Sequence, residues 1–159
     1  MGAIPVQIGG TTELGSFDAL ESMLDDMMQP VIRPKMATSD WQTVIGILQE
    51  MERGYFASSA GPDGQPWAPN RPRTVQKKGH GIILRETWEL QNSLTGTNDK
   101  SIREIQPTML EFGTNRPWAW LHQEGGRKVP QRQFLGMNDA AIDDVVNVVA
   151  DAAVRLMFQ

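Results

Sequence analysis

Apolar residues in this chain recur at helical spacing in several stretches and at strand spacing in the shorter ones between them. Ile4, Val6 and Ile8 alternate with Pro5 and Gln7 ahead of Gly9-Gly10, the pattern of a short strand with one buried face. Pro5 predicts a sheet edge, because proline donates nothing to a ladder. From Ser16 the period changes: Phe17, Leu20, Leu24, Met27 and Met28 recur three and four apart, with Asp18 and Glu21 in the dipole-favoured first turn. This predicts an amphipathic helix ending near Pro30. Ser39 followed by Gln42 forms a capping-box pattern. Trp41, Val44, Ile45, Leu48, Met51 and Tyr55 or Phe56 then line one face of a long second helix.

Between Ser58 and Pro72 four prolines, with Gly61 and Gly64, break all periodicity and predict a loop turning at Pro62-Asp63-Gly64. Leu84, Thr87 or Trp88, Leu90 or Gln91, and Leu94 return to helical spacing and predict a shorter third helix. Ser101 to Gly113 favours extended chain but contains Pro107, so two short strands or one interrupted strand both fit. From Leu110 to Met137 the pattern gives a strand end, a turn at Gly113-Thr114-Asn115, and a helical turn opened by Pro117 that carries Trp118, Leu121 and His122. Gly125-Gly126 stops that turn, and a strand is expected at Phe134-Leu135-Gly136. Asn138 caps a closing helix with an apolar stripe of Ile142, Val145, Val146, Val149, Ala153 and Leu156. The expected fold is α+β: a small, mostly antiparallel sheet packed against two long helices and a C-terminal helix, in a single domain over residues 1–159.

Composition narrows the function classes. With 159 residues and 40% hydrophobic content, one core can bury roughly two-thirds of the unfolded surface. The formal charge of −4 gives no net attraction for nucleic acid or anionic lipid, so any basic contact must be local. Cysteine is absent, which excludes thiol catalysis and disulfides and fits a reducing interior. The first ten residues carry no basic residue and do not read as a signal peptide, and no apolar run reaches bilayer length. A soluble protein made in the cytoplasm is expected.

Catalytic patterns are sparse. His80 and His122 are the only histidines, and no metal-ligand spacing surrounds them; His80 lies between two glycines, and His122 reads as a structural residue on a helical turn. Asp25-Asp26, Asp143-Asp144, and Glu50 with Glu52 are carboxylate pairs assigned to the polar faces of helices. No serine sits in a Gly-x-Ser-x-Gly elbow, and Gly61 to Gly64 lacks the Lys and Ser or Thr of a phosphate loop. The expectation is no enzyme, no cofactor and no bound metal.

Two features suit contacts with macromolecules. Arg71 to His80 carries Arg71, Arg73, Lys77 and Lys78 with no acid, which can meet nucleic-acid phosphates; without interleaved aromatics it reads rather as a solvated loop or as the counterpart of an acidic surface on a partner or neighbouring subunit. Of five tryptophans, Trp41 and Trp88 fall on helical apolar faces, whereas Trp67 lies in a proline-rich loop and Trp118 and Trp120 crowd one short segment. Rigid loop aromatics are frequent anchors of protein contacts.

One order of motifs stands out. Gly61-Pro62-Asp63-Gly64-Gln65-Pro66-Trp67-Ala68-Pro69 follows a long helix; Leu84-Arg85-Glu86-Thr87 comes next with Leu90, Ser93 and Leu94; Gly113-Thr114-Asn115 then leads to Trp118-Ala119 and His122-Gln123; Pro130, Arg132, Phe134, Leu135 and Gly136 close the series. This order resembles the phage virion morphogenesis family, the tail-completion proteins of Mu-like and related tailed phages. The chain departs from the family pattern at Thr87-Trp88, where Thr-Gly is usual, and at Trp118-Ala119, where the aromatic is usually Tyr. The first departure suggests a third helix that begins earlier or packs differently. The resemblance implies a non-catalytic virion subunit that completes the tail or neck and supports head–tail joining. It also implies a ring of copies, six being the expected number, with partners among the tail-tube and neck or head-completion proteins and no membrane. Trp67, Arg71, Arg73, Trp118 and Trp120 are the candidate residues for subunit or partner contacts. The alternative is a nucleic-acid-binding accessory factor using residues 71–80.

Overall fold

A computed structural model describes residues 4–8 and 35–158, and the helix expected at Ser16 to Pro30 lies outside the described residues. The described elements run in the order β1 (Ile4–Ile8), α1 (Thr38–Ser58), α2 (Pro72–Lys78), α3 (Glu89–Thr95), β2 (Ser101–Gln106), β3 (Met109–Thr114), α4 (Ala119–Glu124) and α5 (Asp139–Met157). The strands form one antiparallel sheet in the order β1-β3-β2, with Ile4 opposite Thr114 and Ser101 opposite Thr114 on the other side. Pro5 therefore sits on an edge strand, where its missing N–H breaks no ladder. Pro107 and Thr108 form the turn between β2 and β3, which settles the open choice in favour of two strands. The fold is the expected α+β arrangement.

The core follows from the period of α1. Trp41, Val44, Leu48, Met51, Tyr55 and Phe56 are buried together with Leu90 and Leu94 of α3, Leu110 and Phe112 of β3, and Val145 and Ala152 of α5. Each such side chain removed from water contributes about 1.5–3 kcal/mol before ordering costs are counted. Asn138 caps α5 as expected: its side chain accepts from the Ala141 N–H at 2.9 Å. At α1 the cap differs from the expected Ser39–Gln42 pair. The helix starts two residues earlier, Ala37 is the N-cap, and the Asp40 carboxylate accepts from the Ala37 N–H at 3.1 Å. Asp40 also receives Arg155 at 2.6 Å and so ties α1 to the end of α5.

Three local expectations are corrected. The third helix covers Glu89–Thr95 and neither reaches back to Leu84 nor begins early. Leu84 and Trp88 both hold left-handed backbone, φ 57° and 61°. That geometry suits glycine, the residue the resemblance leads one to expect at position 88. Arg71 to His80 is also more ordered than a solvated loop, since Pro72 opens helix α2 and left-handed Gly79 ends it. The segment Phe134-Leu135-Gly136 forms no strand. Its backbone is satisfied instead by one side chain of α4: Gln123 Oε1 accepts from the N–H groups of Phe134 and Leu135 at 3.0 Å each, and Gln123 Nε2 donates to the Leu135 carbonyl at 2.8 Å.

Glu52 is the largest surprise on α1. It was assigned with Glu50 to the polar face, yet its side chain is fully buried, and neither carboxyl oxygen has a hydrogen-bond partner among the described residues. Burial pushes its pKa well above the ordinary carboxylate value, and the nearby Arg103 charge opposes that rise only in part. Between the unfolded pKa near 4.5 and the raised folded one, the folded state binds more protons than the unfolded state. Stability therefore falls as pH rises through that window. Glu52→Gln is expected to flatten this slope, measured as urea-unfolding free energies from pH 4 to 8; an unchanged slope would show that Glu52 is not its source.

Candidate interaction site

The lower part of the molecule is a brace built from the motif residues. Arg132 is buried and crosses from the 130–136 segment to the proline-rich loop, where Nε donates to the Ala68 carbonyl at 2.8 Å and Nη2 to the Pro69 carbonyl at 3.1 Å. Trp67 Nε1 donates back to the Gln133 carbonyl at 2.8 Å, and its ring meets Phe56 edge-on with centroids 5.4 Å apart. Gly61 lies so close to the Gln133 carbonyl that an added Cβ would stand 2.8 Å from the oxygen. Gly136 is equally tight against Pro62, and its carbonyl accepts from the Tyr55 hydroxyl at 3.0 Å. The two loops are thus locked face to face, and Gln123 locks α4 to the second of them at residues 134–135.

Trp67 is part of that brace. At 5% exposure its indole is spent on Phe56 and Gln133, and the expectation that it faces a partner is corrected: it is a core residue. Its proline neighbours made it look like a pinned surface aromatic. Only the packing of residues 130–136 over the loop, a long-range contact, buries it.

Helices α2, α3 and α4, with residues 84–88 and 128–132, line a cleft of about 500 Å³. Arg71 and Trp118 both line it, joined by Trp88, Lys78, Lys128 and His122. Arg73 and Trp120 do not line it; both are exposed elsewhere. The structure therefore brings together two of the five sequence candidates and adds Trp88, which the helical spacing had placed in the core. Trp88 is the more exposed of the two cleft tryptophans, at 44% against 37% for Trp118. Its left-handed backbone turns it off the α3 face, and the Arg85 guanidinium stacks on its ring at 5.2 Å.

Charge in the cleft is unbalanced. Arg71, Lys78, Lys128 and Arg132 line it against Glu86 and Glu89, and Glu89 is already paired with Arg116 at 3.3 Å. Burial lowers the Lys78 pKa, with repulsion from Arg132 adding to the effect and Glu86 opposing it. Burial likewise lowers the pKa of His122, and the Arg132 and Lys78 charges push it further down. His122 is accordingly a neutral imidazole near pH 7, edge-on to Trp118 with centroids 5.9 Å apart. The cleft thus presents aromatic faces and positive charge. Among the described residues no cluster of three or more His, Asp or Glu side chains could hold a metal ion, and no helix is long and apolar enough to cross a membrane.

A helix-flanked antiparallel sheet with a tryptophan-rimmed cleft beside it defines a small α+β fold. The model of the phage virion morphogenesis family matches residues 16–153, and the chain belongs to that family. No curated protein and no solved structure is significantly similar to it.

These placements separate core from surface tryptophans by stability. Trp67→Ala is expected to lower the unfolding free energy by about 3–5 kcal/mol. Trp120→Ala, on the exposed side of α4, is expected to change it by less than about 1 kcal/mol. Urea titrations followed by far-ultraviolet circular dichroism measure both, and equal losses would contradict the assignment.

Proposed function

We propose that the protein is a non-catalytic structural subunit of the virion that completes the tail or neck and supports head–tail joining, assembled as a ring of six copies. Family membership carries this reading, because virion morphogenesis is what the family is defined by. The exposed tryptophans fit it: Trp88, Trp118 and Trp120 stand at short elements tied down by Arg103 at α3 and Gln123 at α4, so docking a partner on them costs little ordering entropy. Tail-tube and neck or head-completion proteins are the partners this role requires, and the assembled virion is its location.

The nucleic-acid alternative is weaker on geometry. The basic residues of 71–80 diverge, with Arg71 and Lys78 lining the cleft and Arg73 and Lys77 exposed outside it. Lys78 also donates to the Ile82 carbonyl at 2.9 Å. A phosphate backbone would meet two free cations outside the cleft, too few for steeply salt-dependent binding.

Sedimentation velocity on the purified chain tests the ring. The expected result is a discrete species at six times the 17.7 kDa protomer mass. A monomer at every accessible concentration would count against a self-assembled ring, and tight, salt-sensitive binding of duplex DNA would favour the alternative.

A further inference from the structure

Among the described residues, nothing covers one apolar face of the C-terminal helix. Ile142, Val146, Val149, Ala153, Val154 and Met157 line a groove of about 480 Å³ along α5. Val146 is 57% exposed, although apolar side chains at this spacing ordinarily mark the buried side of a helix. The groove carries almost no polar surface of its own, but its border is acidic. Asp139 and Asp143 are exposed, one turn apart, and stand three residues from Ile142 and Val146 respectively, on the flank of the same stripe. An apolar strip of this size with a charged rim is the usual form of a docking surface.

The tryptophan-rimmed cleft has the complementary character. It offers two large aromatic faces, Trp88 and Trp118, beside Arg71 and Lys128, whose charges have no carboxylate partner among the described residues. We propose that the cleft of one copy docks on α5 of a second copy, with the tryptophans filling the α5 groove and Arg71 and Lys128 meeting Asp139 and Asp143. Charge complementarity between the two faces identifies the occupant. An α5-to-α5 contact would oppose Asp143 to its own copy, and a cleft-to-cleft contact would oppose cations, both costly. Two different faces on one chain make a heterologous contact, the type that closes into a ring when the rotation between copies permits.

The inference rests on the ring reading, and charge reversal tells the two apart. The full chain is prepared as wild type, as Asp139→Lys with Asp143→Lys, as Arg71→Glu with Lys128→Glu, and with all four changes together. All four positions are exposed, so melting temperatures should stay close to wild type. Each double reversal is expected to raise the concentration needed for assembly at least about tenfold. The fourfold variant recovers assembly, because the swapped charges again attract. Mixing the two double reversals is likewise expected to recover assembly with the two variants alternating, because every cleft then meets an α5 of opposite charge.

Assembly unchanged by either reversal, or not recovered in the fourfold variant, overturns this docking while leaving a ring built on other faces. A wild type that never assembles overturns both. Because the chain has no cysteine, Trp118→Cys with Val146→Cys gives a second readout independent of charge. Mild oxidation with copper phenanthroline should produce a ladder of disulfide-linked copies, and its absence from an assembled sample also overturns the docking.

Discussion

A guanidinium carries N–H groups on two Nη nitrogens, and Arg103 places these where three elements converge. From β2 it donates to the carbonyls of Ser93 at 3.2 Å, Leu94 at 2.5 Å and Gly96 at 3.3 Å, which are the open carbonyls at the end of α3. It also donates to Gly113 of β3 at 3.1 Å and lies on the Phe112 ring at 3.8 Å. One cation thus fixes α3 against the β2–β3 hairpin and lends its positive charge to a helix C-terminus. The hydroxyls of Ser93 and Thr114 meet at 2.7 Å in the same buried seam. Gln49 and Arg53 of α1 reach the carbonyls of Gly96 and Thr95 from the other side. Glu52 is tolerated in the core beside this assembly. Desolvation depresses the Arg103 pKa to about 10, still far above neutrality, so the cation persists while burial favours the proton on Glu52.

With α3 held, its N-terminal approach is held too, and that positions the cleft. Trp88 immediately precedes the first turn of α3, and Arg85 both stacks on its ring and donates to the Phe56 carbonyl at the end of α1. Across the cleft, Trp118 precedes α4, which Gln123 binds to residues 134–135. The two exposed tryptophans are therefore fixed by polar side chains that satisfy backbone groups. Large rings kept in water in this way cost stability, and a partner that covers them recovers it.

Much of this was legible from local pattern. The α1 face from Trp41 to Phe56, the Asn138 cap, the edge position of Pro5 and the stop at Gly125 each depend on residues within a turn or two of one another. The order of weak motifs, from the Gly61–Pro69 loop to Phe134-Leu135-Gly136, was enough to indicate the family. Other features were partly visible. Glu52 occupies the i+4 position after Leu48 on the apolar stripe, but a carboxylate there reads as surface until a neighbour is seen to enclose it. The cleft residues Lys128 and Trp88 carried no signal that joined them to Arg71.

By itself, then, the amino-acid sequence determined the longest helices, the β2–β3 strands, the α+β class and the family, because those follow from hydrophobic period, turn chemistry and residue order along the chain. Tertiary structure alone decided which tryptophans are anchors and which are core, that Gln123 replaces an expected strand partner, and that the charges of residues 71–80 separate. Each of those outcomes turns on contacts between residues tens of positions apart, such as Trp67 with Gln133 or Arg132 with Ala68. Local propensity carries no information about such contacts; they exist only once the core has brought the two loops together.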